Sequence, residues 1–301
     1  MKRLFYFAAT AIVLAACSKA EDGNGNTNGS NNGNNNEVNK DFIENEGSFT
    51  YFGDTYKTVK LEDGTVWMAE PLRYIPEGFK PSSDPEDDAA HIWYPYIIKD
   101  GTAVAATSEE DTKKYGYLYD IQAVFGKEVT VDNFKSFEGL RGICPEGWHI
   151  PTRAEFIAFC GSSTKAVGES SNISDKNALF YDENYDGAKI GTLNEAGWNM
   201  VLGGYRQQNS FTTKGIYSVK PVISDANCTV SGYYGNPALT YIMSSTGYNP
   251  HYDSKTEELT KIQYFSLMTT FTKAKYPEGR VSVAYCTSTS GQQVRCVKNK
   301  K

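Results

Sequence analysis

The sequence predicts one α+β domain, built from short antiparallel strands with long loops and one or two helices. Two observations predict the elements: alternating apolar residues with turn signals begin at Phe49, and a well-capped helical segment spans Pro151–Phe159. A third concerns the number of domains, because no fixed-period repeat and no linker divides residues 42–301. We therefore expect a single domain over residues 42–301.

The first strands are predicted to form a β-meander. Alternation in Phe49–Phe52 is followed by a turn signal at Gly53–Asp54, and alternation resumes in Tyr56–Leu61. Glu62–Gly64 is a second turn signal and leads into the apolar segment Thr65–Ala69. Three consecutive strands joined by short turns are expected to pair antiparallel.

The middle of the chain combines a long loop with local elements. Pro71–Ala106 is rich in Pro, Asp and Gly and is expected to be a loop that carries aromatic residues. Tyr115–Asp120 predicts a strand, and Ile121–Phe125 predicts a helical turn.

The clearest helix of the chain begins after Pro151. Thr152 can cap it, and Glu155, three residues further on, can complete a capping box. Beyond it, Trp198–Val297 is interpreted as short strands interrupted by Gly, Asn and Pro.

Composition and charge exclude some classes of function. With 30 Lys+Arg against 36 Asp+Glu, the formal net charge is −6. The chain therefore lacks the basic surface that nucleic-acid binding requires, and no nucleic-acid partner is expected. No run of 18 apolar residues is present, which argues against a membrane-spanning helix. Only three histidines occur, so a His-rich metal site is not expected.

Residues 1–16 have the pattern of a signal peptide. Lys2 and Arg3 precede a short apolar run, Leu4–Leu14, which is too short to span a membrane. The run ends in Leu14-Ala15-Ala16-Cys17, which looks like a bacterial lipobox and predicts that Cys17 is lipidated. The alternative is an ordinary signal peptide with a chance cysteine. Acyl chains at Cys17 would make the membrane a stable partner.

Residues 17–41 are predicted to be a flexible tether. In residues 21–36, 12 of 16 are Asn or Gly, so the segment has almost nothing to bury. The acids behind Cys17, Glu21 and Asp22, resemble the surface-export signal of Bacteroidetes lipoproteins, although a plain soluble linker would also fit. We therefore expect an outer-membrane lipoprotein exposed on the cell surface.

Five cysteines remain after Cys17, an odd number that permits at most two disulfides. They are Cys144, Cys160, Cys228, Cys286 and Cys296. Thiols outside the inner membrane tend to oxidise, but the spacing alone leaves the pairing open, and five buried free thiols are the alternative. No Cys-x-x-Cys spacing predicts a metal site.

Four sequence blocks stand out between residues 48 and 299: Tyr56–Val59 with Trp67–Glu70, Tyr115–Tyr119, Gly142–Thr152 and Val294–Lys298. The most specific of them contains Cys144-Pro145-Glu146-Gly147-Trp148-His149. Together they resemble the Fibrobacter succinogenes major paralogous domain, a family frequent in lipoproteins of Bacteroidetes and Fibrobacteres. The family is similar in pattern to the C-type-lectin-like fold and to its formylglycine-generating-enzyme branch, so the resemblance implies a C-type-lectin-like fold.

The resemblance also implies roles for individual residues. It suggests a disulfide between Cys144 and Cys296, and Cys228 with Cys286 is a second, less supported pairing. Formylglycine-generating enzymes hold copper with two nearby cysteines, whereas Cys286 and Cys296 are ten residues apart here. His149 is interpreted as structural rather than catalytic.

One segment matches the first half of a calcium loop. Asp182, Asn184 and Asp186 alternate before Gly187, but the twelfth position is Leu193 where a bidentate Glu is needed. An Asx-rich surface turn is therefore favoured over a calcium site. No cofactor is expected, with calcium as the alternative.

Aromatic residues in the expected loops are the candidate ligand contacts, because flat rings with polar tips suit glycan faces or protein partners. The candidates are Trp93, Tyr94, Tyr96, Tyr205, Arg206, Tyr233, Tyr234, Tyr248 and Tyr252. The alternative is that many of these rings are core residues.

These observations favour a lipid-anchored, non-catalytic binding or adhesion module for a glycan or a protein. No nucleophile motif such as Gly-x-Ser-x-Gly is present. Two alternatives stay open: a structural or accessory component of a surface assembly, and an oxidoreductase derived from the formylglycine-generating branch.

Overall fold

The computed structural model describes residues 41–100, 102–208, 219–222, 240–272 and 275–300, and Asn39–Lys301 form one compact unit. The signal segment, Cys17 and most of the tether lie outside the described residues, as do Cys228, Tyr233 and Tyr234. No helix within the described ranges is long and apolar enough to cross a membrane.

The described residues form nineteen strands and four short helices, an α+β composition dominated by sheet. The strands are β1 (Phe42–Asn45), β2 (Ser48–Tyr51), β3 (Asp54–Lys60), β4 (Val66–Met68), β5 (Pro81–Ser82), β6 (Ile92–Trp93), β7 (Tyr96–Lys99), β8 (Thr102–Ala105), β9 (Leu118–Tyr119), β10 (Trp148–His149), β11 (Ser162–Ser163), β12 (Ile173–Ser174), β13 (Ala188–Lys189), β14 (Tyr205–Gln208), β15 (Val219–Val222), β16 (Thr240–Tyr252), β17 (Leu259–Thr272), β18 (Tyr276–Thr287) and β19 (Val297–Lys298). The helices are α1 (Glu109–Tyr115), α2 (Ile121–Phe125), α3 (Arg153–Cys160) and α4 (Ile190–Glu195).

Two larger sheets organise the domain. The first has the strand order β1-β2-β3-β4-β19-β10, and the second has the order β12-β11-β18-β17-β16 with β13 also paired to β18. Smaller sheets are β5-β6-β9, β7-β8 and β14-β15. Among the described pairs only β11 with β18 and β5 with β6 are parallel, so the expectation of antiparallel pairing is largely confirmed.

The predicted meander is confirmed as β2, β3 and β4, which pair antiparallel in sequence order. The first turn lies one residue earlier than expected: Tyr51 pairs with Asp54, so Phe52 and Gly53 form the two-residue loop. Both loop residues have positive φ, 47° at Phe52 and 85° at Gly53, as a type I′ turn requires.

The predicted capping box of α3 is confirmed. The Thr152 hydroxyl accepts from the Glu155 backbone N–H at 3.2 Å, and a Glu155 carboxylate oxygen accepts from the Thr152 backbone N–H at 2.8 Å. These two bonds satisfy donors that have no partner inside the helix. The helical turn predicted at Ile121–Phe125 is also confirmed, as α2.

The expectation of short strands after Trp198 is wrong for the second sheet. β16, β17 and β18 contain 13, 14 and 12 residues. Gly247 and Pro250 look like strand breakers, but β16 continues through both. Gly247 lies at irregularities in the register with β17, and Pro250 pairs in regular register with Ile262. Gly247 has a packing reason, since a Cβ there would lie 2.6 Å from the Phe134 carbonyl oxygen.

Two other expectations need correction. The loop expected over Pro71–Ala106 contains four short strands, β5 to β8, and the strand expected over Tyr115–Asp120 is reduced to β9 because Tyr115 ends α1. The helix count is four in the described ranges, where one or two were expected. The polar helix α1 buries none of its residues, so it lacks the apolar stripe from which sequence detects helices.

The predicted disulfide between Cys144 and Cys296 is confirmed, with a Cα–Cα distance of 5.9 Å. It lies in a buried cluster with Phe49, Trp148 and Tyr119. Cys160 and Cys286 are buried free thiols. The second pairing is therefore not formed at Cys286, and its proposed partner Cys228 lies outside the described residues.

A second buried cluster joins helices α3 and α4 to the long sheet. Phe156 and Phe159 of α3 pack with Trp67, Trp198 and residues of β17 and β18. The first cluster, by contrast, lies under the meander and around the disulfide.

Candidate binding site

Five of the nine predicted contact residues lie together. Trp93, Tyr94, Tyr96, Tyr205 and Arg206 line one small cavity, joined by Pro85 and Leu118. The cavity volume is about 10 Å³, which is close to the space that a single water molecule needs. A ligand at this place would therefore contact the surface around the cavity and would not be enclosed by it.

Arg206 is the centre of this cluster. Its guanidinium carbon lies 4.1 Å from the centroid of the Trp93 ring, a cation–π contact. Its Nε donates to the Pro85 carbonyl at 2.9 Å, one Nη donates to the Thr289 carbonyl at 3.3 Å, and the other forms a salt bridge with Asp88. Burial lowers the pKa of Arg206, and Asp88 opposes that shift.

Residues 83–90, which we call the acidic loop, fold over Trp93 and Arg206. The Trp93 indole N–H donates to the Asp87 carbonyl at 3.2 Å. The Tyr96 hydroxyl donates to the Ser83 carbonyl at 2.7 Å. Together with the two bonds from Arg206 to Pro85 and Asp88, these contacts hold the loop from beneath along its length.

Burial divides the predicted contact residues into two groups. Trp93 is 2% exposed and Arg206 is 3% exposed, and Tyr205 is also buried, with its ring 4.5 Å from that of Tyr241. The structure thus places these three in the packed interior, where a ring face is not available to a ligand. Tyr94 and Tyr96 are half-buried and form the accessible edge of this cluster.

Two features of this site were missed by sequence reasoning. Tyr117 packs edge-on against Tyr94 at 5.4 Å between ring centroids and extends the tyrosine edge. The second feature is the acidic loop itself, where Asp84, Glu86 and Asp88 are exposed. The sequence shows the acid-rich run between Ser83 and Ala90, but it does not show that Arg206 contacts this run.

A histidine–carboxylate pair lies beside the acidic loop. His91 Nδ1 is 2.7 Å from an Asp120 oxygen, and the other Asp120 oxygen accepts from the Ala123 backbone N–H at 2.8 Å, which caps α2. The hydrogen bond to the Asp120 carboxylate raises the pKa of His91. Burial raises the pKa of Asp120 even though His91 and Ala123 oppose the shift.

The other predicted contact residues do not join this site. Tyr248 stacks on Tyr285 of β18 at 4.7 Å, on the long second sheet. Tyr252 is exposed at the end of β16. Tyr233 and Tyr234 lie outside the described residues.

His149 occupies a structural position. Its Nε2 lies 3.0 Å from a Glu155 oxygen, and its Nδ1 lies 2.6 Å from the Asn299 side-chain oxygen. It therefore joins the capping box of α3 to the residue after β19. Burial alone would lower the pKa of His149, but hydrogen bonds to Glu155 and Asn299 raise it overall.

The calcium candidate is occupied by cationic side chains. Asp182 pairs with Lys189 at 3.2 Å, and Asp186 pairs with Arg280 at 3.2 Å. The Asn184 backbone N–H donates to Asp182 at 2.9 Å, the bond of an Asx turn. No group of three or more His, Cys, Asp or Glu residues in the described ranges is placed to hold a metal ion. The Asx turn expected at these residues is thus present.

The two C-terminal cysteines are not available as a metal pair. The Cys296 sulfur is bonded to Cys144, and Cys286 is a separate buried thiol. Burial raises the pKa of Cys286 to about 11 and that of Cys160 to about 12. Neither thiol is thus present as a reactive thiolate near neutral pH.

Comparison with known proteins gives one match. A family model described as Fibrobacter succinogenes major domain matches residues 63–298, which is well over half of the chain. No curated protein and no solved structure matches the chain.

Proposed function

The chain belongs to the Fibrobacter succinogenes major domain family, and we propose that it is a non-catalytic binding or adhesion module on the cell surface. The proposal includes a lipid anchor at Cys17, an Asn/Gly-rich tether and a C-type-lectin-like domain that needs no cofactor. The lipobox-like Leu14-Ala15-Ala16-Cys17 and the tether composition support the anchor.

The observation that carries the proposal is that buried side chains hold the acidic loop in place through hydrogen bonds and a salt bridge. A loop with this many charged residues would ordinarily be mobile, and a ligand would have to order it. Here Arg206 and Trp93 hold the loop through Pro85, Asp87 and Asp88. A loop that is already ordered binds with a smaller loss of conformational entropy.

The chemistry of the accessible surface favours a basic protein segment as ligand. Asp84 and Glu86 are exposed and have no salt bridge in the described ranges, and Asp88 is also exposed although it pairs with the buried Arg206. Asp84 also acts on the half-buried Tyr96, whose pKa is raised first by burial and then by that carboxylate. Tyrosines beside carboxylates can contact the stems of Lys or Arg side chains while the carboxylates pair with their charges.

Binding to an array of Lys- and Arg-containing peptides tests this site. We expect the full chain to bind, with an affinity that falls as salt rises, because the attraction is between exposed charges. Asp84→Asn/Glu86→Gln should weaken binding by about tenfold, the equivalent of about 1.4 kcal/mol.

The matched control is Glu109→Gln/Glu110→Gln, which removes two exposed acids from the first turn of α1. It should leave binding unchanged. A silent array, or equal losses in both double variants, would contradict a specific site at the acidic loop.

The anchor has its own test. Metabolic labelling with a radioactive fatty acid should mark the wild-type protein and not Cys17→Ser. Protease treatment of intact cells should then digest the domain, and full protection of the labelled protein would rule out surface display.

A further inference from the structure

A second cavity, larger than the one beside the acidic loop, lies between the β3–β4 turn, helix α3 and residue 300. Its volume is about 50 Å³. Its apolar wall is formed by Leu61, Trp67, Phe159 and Leu179. Two exposed residues of opposite charge, Asp63 and Lys300, also line it. We call this space the α3 cavity.

The apolar wall of the α3 cavity belongs to the packed interior. The rings of Trp67 and Phe159 lie 5.4 Å apart between centroids, and both residues are members of the second buried cluster. Leu179 packs against that cluster, and its backbone N–H donates to the Ala158 carbonyl of α3 at 3.0 Å. A ligand therefore enters a cavity whose wall is already ordered, which keeps the entropic cost of binding small.

The Asp63 carboxylate is held in one orientation by the β3–β4 turn. Its Oδ1 accepts from the Thr65 backbone N–H at 2.9 Å and from the Thr65 hydroxyl at 2.6 Å. That hydroxyl in turn accepts from the Trp67 indole N–H at 3.1 Å. The other oxygen, Oδ2, has no hydrogen bond within the described part of the chain. The turn thus presents a fixed carboxylate with one oxygen available at the cavity.

The cation at the cavity follows an anchored residue. The Asn299 backbone N–H donates to the Gly147 carbonyl at 2.8 Å, and the Asn299 side-chain oxygen lies 2.6 Å from His149 Nδ1. Lys300 is exposed and forms no salt bridge with any described residue, so it is not paired with Asp63 although both line the same cavity. The cavity therefore carries one unpaired charge of each sign.

We propose that the α3 cavity binds a free α-amino acid with a branched aliphatic side chain. Such a ligand carries an ammonium group and a carboxylate on the same carbon atom as its side chain. The ammonium group pairs with Asp63 Oδ2, the carboxylate pairs with the Lys300 ammonium, and the side chain occupies the space along the apolar wall.

The volume of the cavity selects among amino acids. One water-sized position needs about 10–15 Å³, so the α3 cavity holds about four of them. The side chains of valine, leucine and isoleucine are of this size. Glycine and alanine would leave most of the apolar wall uncovered, and the ring of phenylalanine exceeds the space.

The charges of the lining residues disfavour other ligands. A phosphate or sulfate group would meet one cation, Lys300, against two carboxylates, because Glu155 also lines the cavity. Glu155 is not a second free acid for the ligand, since it is paired with His149 at 3.0 Å. A peptide carries its ammonium group and its carboxylate on different residues, so it cannot present both charges beside one side chain.

This inference goes beyond the proposed function, and none of the residues that it uses belongs to the acidic loop. The test is calorimetric titration of the full chain with valine, leucine and isoleucine. N-acetyl-leucine lacks the ammonium group and leucinamide lacks the carboxylate. We expect each to bind at least about tenfold more weakly than leucine, because each loses one charge-assisted hydrogen bond. Phenylalanine should not bind.

Three variants test the cavity itself. Asp63→Asn keeps the oxygen that accepts from Thr65 but removes the charge, and Lys300→Gln removes the cation from an exposed position. Each should weaken leucine binding by about tenfold or more. Ala158→Leu enlarges an exposed residue of α3 that lines the cavity, so it should abolish binding by filling the space. The melting temperatures of all three should stay close to that of the wild type.

Two neighbouring charges that do not line the cavity provide matched controls. Glu62 precedes Asp63 in the same turn, and Lys60 is the last residue of β3; both are exposed. Glu62→Gln and Lys60→Gln should keep the affinity for leucine within about twofold of the wild-type value. Asp84→Asn/Glu86→Gln should also keep it, and Asp63→Asn should keep the affinity for basic peptides.

Several results would overturn the inference. They are an absence of binding by all three branched amino acids, equal affinity for leucine and either of its blocked derivatives, and undiminished binding by Asp63→Asn or by Ala158→Leu. Tighter binding of the tripeptide leucyl-glycyl-glycine than of leucine would assign the cavity to a peptide terminus instead. Because basic peptides are measured in parallel, failure of the α3 cavity and failure of the acidic loop are distinguishable.

Discussion

The acidic loop and the tip of the β2–β3 hairpin both rely on aromatic residues, but they use them in opposite ways. Trp93 is 2% exposed and supports the acidic loop from below, whereas Phe52 is 49% exposed and forms the accessible surface itself. The loop is ordered by a buried cation, and the tip is ordered by a tight turn. An aromatic residue in a polar segment can therefore belong either to the packed support of a surface or to the accessible surface itself.

The cause of the difference lies in the neighbouring strands. Trp93 belongs to β6, a central strand between β5 and β9, and Arg206 covers its ring. Phe52 lies beyond the last pair of the β2–β3 ladder, Tyr51 with Asp54, and contacts the protein through Tyr74 and Tyr51.

The largest expected effect comes from the disulfide, which supports both regions. Cys144 and Cys296 share a buried cluster with Tyr51 below the tip and with Ile92 beside Trp93. The two cysteines are 152 residues apart. The chain-entropy model for a loop of that length gives about 5 kcal/mol of stabilisation. Cys144→Ala/Cys296→Ala should lower the free energy of unfolding by several kcal/mol in denaturant titrations.

Cys286→Ala is the matched control, since it removes a buried thiol that forms no disulfide. It should cost about 1 kcal/mol through the small cavity that it leaves. If the double variant lowers the free energy of unfolding no more than this control does, the disulfide does not stabilise the two regions.

The next largest effect is expected from a substitution that destabilises the acidic loop and leaves the β2–β3 hairpin unchanged. Arg206→Ala removes the cation–π contact with Trp93 and the hydrogen bonds to Pro85 and Thr289. Hydrogen bonds from a charged group and a desolvated cation–π contact together support a loss of about 3 kcal/mol. Hydrogen exchange should show residues 85–90 exchanging faster, with the β2–β3 hairpin unchanged.

Lys80→Ala is the control for this experiment, because Lys80 is exposed just before the loop and has no salt bridge in the described ranges. It should change neither region. Equal acceleration of exchange in the hairpin and in the loop would show that Arg206 supports the whole domain and not the loop in particular.

Local patterns were enough to predict some parts of the fold. The cap of α3 depends on Thr152 and Glu155, which are neighbours in sequence, and the meander depends on alternation and short turns. The disulfide followed from the family resemblance, since the spacing of five cysteines left the pairing open. These features share a cause that is visible within a few residues or within one family block.

The remaining features depend on contacts between distant segments. Nothing near Trp93 shows that Arg206, far along the chain, will cover its ring, so the ring was expected to be accessible. Phe52 was counted as a strand residue because its alternation is correct, and its left-handed φ is a property of the turn. The length of β16 was missed because Gly247 is needed for the close approach of Phe134.

The smallest expected effect is a pH dependence confined to the acidic loop. The hydrogen bond to Asp120 raises the pKa of His91, and burial raises the pKa of Asp120. Because the pKa of His91 is raised, its contribution to stability is fully present below about pH 6.5 and is lost as pH rises through the raised value. The contribution of Asp120 is present below the ordinary pKa of an aspartate and is lost as pH rises through its own raised value. Between pH 6 and pH 8.5 the amides of residues 87–91 should lose protection once intrinsic exchange rates are corrected for pH.

His91→Gln should remove most of this change, because glutamine can still donate to Asp120 but does not titrate. A local measurement is necessary, since His149 also has a raised pKa and adds a pH dependence of the same sign to the global stability. The β2–β3 hairpin contains no histidine and should show no change of its own. The contrary result would be that the loop and the hairpin lose protection together and that His91→Gln alters neither. The His91–Asp120 pair would then not contribute to the order of the acidic loop, which would depend on Arg206 and Trp93 alone.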